Sequence, residues 1–153
     1  MKALILKALM PLVRIYWKLF RPKTFGVKAV VVLEREIGNI LLVRHTYGDK
    51  SLWNLPGGKY NPRKETPETA IQRELREELG CEALSLRELG KYYTEGEGKR
   101  DTVQIFLAVI NCIGTDRDAE IAEMTWCPID SVGSMENVAR VARTGARQYE
   151  ETF

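Results

Sequence analysis

The segment 55–81, LPGGKYNPRKETPETAIQRELREELGC, constrains the fold of this chain more tightly than any other. Its second half carries helix signals: Thr66 suits the N-cap, Pro67 the first helical position and Gly80 the C-terminal stop. The apolar residues that recur at helical spacing are Ala70, Ile71, Leu75 and Leu79. The sequence therefore predicts an amphipathic helix that buries one face against a core.

Three carboxylates crowd the adjoining face of this helix, at Glu74, Glu77 and Glu78. Like charges three and four residues apart destabilise a bare helix, so a positive partner is expected. Arg73 and Arg76 would supply it as surface ion pairs, as on many charged helices. A bound divalent cation is the alternative interpretation.

The residues before the helix favour the cation. Pro56, Gly57 and Gly58 form a turn without bulky side chains, where a backbone carbonyl approaches an ion, and Glu65 adds a fourth carboxylate. Mg²⁺ takes oxygen ligands, keeps several waters and shares its shell with substrate phosphates. The segment thus predicts a magnesium site.

The run from Gly58 through Glu65 to Arg73-Glu74-Leu75-Arg76-Glu77-Glu78-Leu79-Gly80-Cys81 resembles the signature of the Nudix hydrolases. That pattern is Gly, five residues, Glu, seven residues, then Arg-Glu-apolar-any-Glu-Glu-any-Gly-apolar. Every specified position from Glu65 onward fits. The loop between Gly58 and Glu65 has six residues instead of five. Gly58 and Glu65 are therefore the two signature residues whose relative position differs from the family pattern.

The resemblance implies an α/β fold, namely an α/β/α Nudix sandwich with a mixed sheet, and Mg²⁺-dependent hydrolysis of a pyrophosphate bond, with Mn²⁺ as a substitute. It implies metal ligation by Glu74, Glu77, Glu78 and the Gly58 carbonyl. Glu74, Glu77, Arg73 and Glu65 would also take part in catalysis, Arg73 by orienting Glu65 or Glu77.

The resemblance also suggests residues outside the signature. Glu120 resembles a further glutamate that many family members supply as metal ligand or base, with Glu97 and Glu123 as rivals. Arg44 is predicted to contact phosphate, or to form a surface ion pair, and Trp53 to stack on a base or to pack in the core. His45, the only histidine, is not expected to be the catalytic base, because nothing nearby in the sequence orients it.

The substrate class stays open at this level. A nucleotide sugar, an ADP-ribose-like compound and a nucleoside triphosphate all fit a nucleoside diphosphate linked to another moiety, and the markers of particular subfamilies are absent. The alternative function is a catalytically weak Nudix-fold module that binds nucleotides or acts as a membrane-associated regulator.

Residues 1–23 form a separate basic segment ahead of the predicted domain at 24–153. Residues 1–33 carry seven of the 23 Lys and Arg residues and none of the 21 Asp and Glu residues, so residues 34–153 have a net charge of −5. The segment predicts an amphipathic helix that lies on an anionic membrane, or that packs on its own domain or on a second subunit. The acidic body argues against nucleic-acid binding.

The rest of the chain predicts strands at 27–33, 40–43, 84–93, 102–113 and 124–129, and a terminal helix at 135–149. The first two strands are expected to pair as a hairpin. Three cysteines without a C-x-x-C pair argue against disulfides and predict a cytoplasmic protein, peripheral at the inner face of the membrane if the N-terminal helix binds lipid.

Overall fold

A computed structural model describes residues 2–153 of the chain, with side chains from Ala8 onward except that of Glu97. The helices are α1 Lys2–Phe20, α2 Pro67–Leu79 and α3 Arg140–Glu150. The strands are β1 Lys23–Leu33, β2 Asn39–His45, β3 Ser85–Thr94, β4 Arg100–Ile110 and β5 Ile121–Pro128. Two short 3₁₀ helices lie at Gly96–Gly98 and Ile129–Ser134.

The strands form two sheets between helices, in the order β1-β4-β3 and β2-β5. Strand β1 pairs parallel with β4, whereas β3 and β4, and β2 and β5, pair antiparallel. Because side chains alternate across a strand, β1, β2 and β4 contribute to a core on each face. Helix α2 closes one core and α3 the other, which confirms the mixed α/β/α sandwich.

The predicted hairpin of 27–33 and 40–43 is wrong. The chain after β2 enters the space between the two strands, where Asn54 exchanges backbone hydrogen bonds with Val43, and Pro56 and Gly58 accept hydrogen bonds from β1. Each strand therefore takes its main partner elsewhere, and the glycine turn lies in the middle of the fold.

The last helix begins at Arg140, five residues later than predicted. The backbone of Asn137 accepts a hydrogen bond from Trp53 N–H, and Ala139 N–H donates to the Trp53 carbonyl. These strand-like bonds hold the preceding residues extended, so the helix starts only after them.

Helix α1 touches the rest of the fold at its C-terminal end. The short 3₁₀ helix Gly96–Gly98 packs on its backbone at Trp17 and Lys18. None of the described helices combines the length and the apolarity needed to cross a membrane.

Candidate active site

Helix α2 has the predicted caps. The Thr66 side chain accepts a hydrogen bond from Thr69 N–H, and Gly80 ends the helix in the left-handed conformation at φ 63°. These local signals fix the rotation of the helix, and its buried face carries Glu74 and Glu78 beside the apolar residues. Glu74 and Glu78 therefore point toward the sheet and the glycine turn.

The glycine turn lies directly on two of these carboxylates. Gly57 N–H donates to Glu78 Oε2 at 2.8 Å, and a Cβ atom on Gly58 would lie only 2.6 Å from Glu74 Oε1. The Gly58 carbonyl accepts a hydrogen bond from Val27 N–H at 2.9 Å, which leaves its second lone pair for another partner. A side chain at position 58 would therefore displace the Glu74 carboxylate from this place.

Arg73 joins the carboxylates of the site. Its guanidinium donates two hydrogen bonds to Glu65, at 2.7 and 3.2 Å, one to Glu74 at 2.9 Å and one to Glu77 at 3.2 Å. These bonds lower the pKa of Glu65 and raise that of Arg73. Arg76 instead pairs with Glu82 on the surface, at 2.8 Å. Arg73 thus contacts both glutamates that it was predicted to orient.

The longer loop before Glu65 forms a compact turn. Asn61 accepts hydrogen bonds from Arg63 N–H at its side chain, and from Lys64 and Glu65 N–H at its backbone carbonyl. The turn absorbs the extra residue, and Glu65 still reaches Arg73.

Glu78 and His45 form a buried pair that sequence reasoning missed. His45 Nε2 lies 2.9 Å from Glu78 Oε1, and the two side chains are only 9% and 1% exposed. Strand alternation directs His45 toward α2, and its partner lies 33 residues further along the chain. Glu78 therefore orients His45 in the folded protein, although no residue near His45 in the sequence does so.

A cavity of about 660 Å³ opens beside these residues. Of the described residues, five acidic ones line it, Asp49, Glu74, Glu77, Asp101 and Glu120, and we call the three glutamates its acidic wall. Burial and the charges of Glu78, Glu120 and Glu74 raise the pKa of Tyr47, on the same wall, to about 12. Of the two rivals of Glu120, Glu123 pairs with Arg44 outside the cavity, and the Glu97 side chain lies outside the described residues.

Lys28 is a second residue of the cavity wall that sequence reasoning missed. Its Nζ donates to the carbonyls of Leu55 and Gly57 at 2.9 and 3.0 Å and so braces the glycine turn. Burial lowers the pKa of Lys28, and the negative charges of Glu78 and Glu74 oppose that shift.

Replacing Lys28 with Met is expected to lower the free energy of unfolding by about 1–3 kcal/mol, because two carbonyls of the turn lose their donor. Denaturant unfolding of the variant measures the loss. Lys23→Met, at the exposed start of β1, is the matched control and should stay near wild type; equal stability of the two variants would contradict the bracing role.

Glu74 is held in a state that disfavours its charge. Burial of the Glu74 carboxyl, together with the charges of Glu78 and Glu77, raises its pKa, and Arg73 opposes the shift. A carboxyl whose pKa is raised on folding binds its proton more tightly in the folded state, so its ionisation lowers stability as the pH rises.

Glu74→Gln is accordingly expected to be more stable than wild type at neutral pH in a metal-free buffer. The advantage should shrink as the pH falls and vanish below the ordinary glutamate pKa of 4.5. Denaturant unfolding across this range tests it, with exposed Glu82→Gln as control. A Glu74→Gln variant that is less stable at every pH would refute the argument.

Arg44 and Trp53 do not lie at the cavity. The Arg44 guanidinium lies 4.2 Å from the centroid of the Trp53 ring and 3.3 Å from Glu123. Because Arg44 precedes His45 on β2, its side chain leaves the opposite face of the strand. Trp53 packs against the core that α3 covers. Arg44 thus forms the ion pair, and Trp53 the core packing, that were given as their alternatives.

A three-layer α/β/α fold with a glutamate-bearing helix beneath a glycine turn defines the class of the Nudix hydrolases. The family model of the NUDIX domain matches residues 24–149, and the chain belongs to this family.

Relatives of this chain are named for different substrates. The chain is 37% identical over 112 residues to an ADP-ribose pyrophosphatase of Mycobacterium tuberculosis (strain ATCC 25618 / H37Rv), with 69% of this chain and 53% of that protein covered. It is 32% identical over 78 residues to the nucleoside triphosphatase NudI of Klebsiella pneumoniae (strain 342), with 46% and 55% covered. The chain thus spans about half the length of these relatives.

Solved structures share the fold at lower identity. The crystal structure of the MutT protein from Methanosarcina mazei Go1 superposes with a TM-score of 0.72 at 24% identity, and the match covers 86% of this chain and 96% of that one. This likeness supports the architecture alone.

Proposed function

We propose that residues 24–153 form a metal-dependent pyrophosphohydrolase domain, which uses water to cleave the pyrophosphate bond of a nucleoside diphosphate linked to another moiety. The observation that carries the proposal is the acidic wall of the cavity, which Glu74, Glu77 and Glu120 line together with Arg73. The cavity volume of about 660 Å³ suits a small-molecule ligand.

The donor set fits a hard divalent cation, Mg²⁺ or Mn²⁺. Among the described side chains, no three acidic, His or Cys side chains are placed to hold a metal ion by themselves. Mg²⁺ does not require such a group, because it binds through one or two carboxylates and completes its shell with water and substrate phosphates. Glu74, Glu77 and Glu78 would hold the ion together with the Gly58 carbonyl, and Glu120 would extend the ligand set.

When bound, the cation would neutralise charge on the diphosphate and ease the ionisation of water. Arg73 holds the carboxylates of Glu65, Glu74 and Glu77 in fixed positions, so little reorganisation is needed when charge develops in the transition state. Glu74 and Glu120 are the candidates to accept the proton of the attacking water, since both line the cavity.

Another part of the cavity wall suits a nucleoside. Thr24 and Asp101 are paired in the β1–β4 register, both line the cavity, and Thr24 Oγ1 and Asp101 Oδ1 are buried without a hydrogen-bond partner. Buried polar atoms normally have a hydrogen-bond partner. We therefore expect these two oxygens to accept hydrogen bonds from the substrate, for example from a ribose hydroxyl or an exocyclic amine. Similarity to the ADP-ribose pyrophosphatase supports an ADP-ribose-like compound as the first candidate.

Asp101→Ala is expected to raise the KM about ten-fold with little change in kcat, because it removes a contact to the part of the substrate that does not react. Steady-state kinetics on the preferred substrate test this, with exposed Asp116→Ala as control. A fall in kcat at unchanged KM would contradict a binding role.

Two further proposals concern the N-terminal helix and the compartment of the protein. Residues 1–23 are proposed as an appended helix outside the hydrolase domain, in keeping with the family match that begins at residue 24. The three cysteines are free, in keeping with a reducing compartment such as the cytoplasm.

The test of function is the release of phosphate or nucleoside monophosphate from ADP-ribose, nucleotide sugars and nucleoside triphosphates, with and without Mg²⁺ or Mn²⁺. Metal-dependent turnover of one class supports the proposal and names the substrate. Nucleotide binding without turnover of any class would overturn it in favour of a binding module.

A further inference from the structure

Helix α1 presents an apolar face to solvent. Its large apolar side chains are between 47% and 73% exposed, and they are Leu9, Leu12, Ile15, Tyr16, Leu19 and Phe20. They recur at helical spacing and form one continuous arc. Scattered exposed apolar residues are ordinary, whereas a contiguous patch of this kind marks an interaction surface.

The contacts of α1 with the body leave this arc uncovered. Lys99 Nζ lies 3.2 Å from the centroid of the Trp17 ring, the backbone at Trp17 packs on Gly98, and Arg21 pairs with Glu95. The helix is therefore fixed through Trp17 and its C-terminal end, and the apolar arc lies on a different side.

The charges of the segment identify what covers the arc. Arg14 and Lys18 are exposed on a stripe beside it, and residues 1–33 contain no acid. Two copies that met through this helix would bring like charges together, whereas a lipid surface with anionic headgroups attracts them. The apolar arc then enters the acyl boundary and the long basic side chains reach the phosphates.

We propose that the exposed face of α1 binds the surface of an anionic phospholipid membrane. The helix leads directly into β1, whose residues Thr24 and Phe25 line the cavity, so α1 joins the body close to the cavity. Membrane binding is independent of the proposed hydrolysis and is tested without it.

The experiment is sedimentation of the full chain with large unilamellar vesicles of phosphatidylcholine, with or without phosphatidylglycerol. The chain should sediment with the phosphatidylglycerol vesicles alone and dissociate at about 1 M salt, where surface charges are screened. Leu12→Glu with Leu19→Glu should abolish binding, and Arg14→Gln with Lys18→Gln should weaken it at least ten-fold, since each basic side chain near such a surface contributes about five-fold.

Ile37→Glu is the matched control, because Ile37 is 82% exposed in the turn between β1 and β2 and lies outside the helix. It should bind like wild type, and all variants should keep the wild-type unfolding transition. Equal sedimentation of wild type and the Leu12/Leu19 variant would overturn the proposal. An absence of vesicle binding would also overturn it. A dimer in sedimentation equilibrium that the Leu12/Leu19 variant dissociates, without vesicle binding, would show that a second copy covers the arc instead.

Discussion

Replacing Glu77 with Gln is expected to reduce turnover at least about a hundred-fold while the protein stays folded. Glu77 lines the cavity, and its side chain is 42% exposed, so an amide of the same shape fits without a desolvation penalty. The substitution keeps an acceptor for Arg73 but removes the charge that a cation requires. The loss should therefore appear in kcat and in metal dependence, and the unfolding transition should not move.

Steady-state kinetics over a range of Mg²⁺ concentrations, beside thermal unfolding, measure these effects. Glu82→Gln is the matched control, because Glu82 pairs with Arg76 on the surface and does not line the cavity. Full activity of Glu77→Gln would show that this carboxylate is not a metal ligand.

Replacing Gly57 with Ala is expected to lower the free energy of unfolding by about 3 kcal/mol or more. Gly57 has a φ of +130°, and a Cβ there would lie 2.1 Å from the Val27 carbonyl oxygen and 2.9 Å from Lys28 Cα. Both atoms belong to the β1 backbone, so a rotamer change cannot relieve the clash. The turn would move away from β1, and the hydrogen bond from Gly57 N–H to Glu78 would be lost.

Alanine variants of two other glycines separate the steric clash from the backbone strain at Gly57. Gly38 has a φ of +113° and nothing within 4 Å of an added Cβ, so Gly38→Ala should cost only the backbone strain, about 1–2 kcal/mol. Gly133 has neither constraint, and Gly133→Ala should be near neutral. Denaturant unfolding of the three variants tests the order; a Gly57→Ala variant as stable as Gly38→Ala would show that the turn is not locked against β1.

The sequence predicted helix α2 closely because its signals are local. Thr66, Pro67 and Gly80 stand at the positions where the helix begins and ends, and the spacing of its glutamates fixes their common face. The arrangement of the strands could not be predicted in the same way. The residues of β1 and β2 are apolar enough to pair with each other, and only the packed fold shows that the glycine turn separates them.

The difference between local signals and distant contacts also explains which site residues could be predicted. Lys28 and His45 depend on partners 27 to 33 residues away, so no pattern around them indicated a role. Arg44 is adjacent to His45, and the alternation of β2 decides which of the two faces α2. The sequence placed the strand but left its register open, and a shift of one residue exchanges the two faces.

The most direct test of the central claim, that water attacks a diphosphate at the acidic wall of the cavity, is hydrolysis in H₂¹⁸O with Mg²⁺ and the best substrate of the panel. We expect one ¹⁸O atom per turnover in a phosphate-bearing product, seen by mass spectrometry, and at least about a hundred-fold less labelled product from Glu77→Gln in the same time. Products without the label would show cleavage by another route, and intact nucleotide bound to the protein would show a binding module instead of a hydrolase.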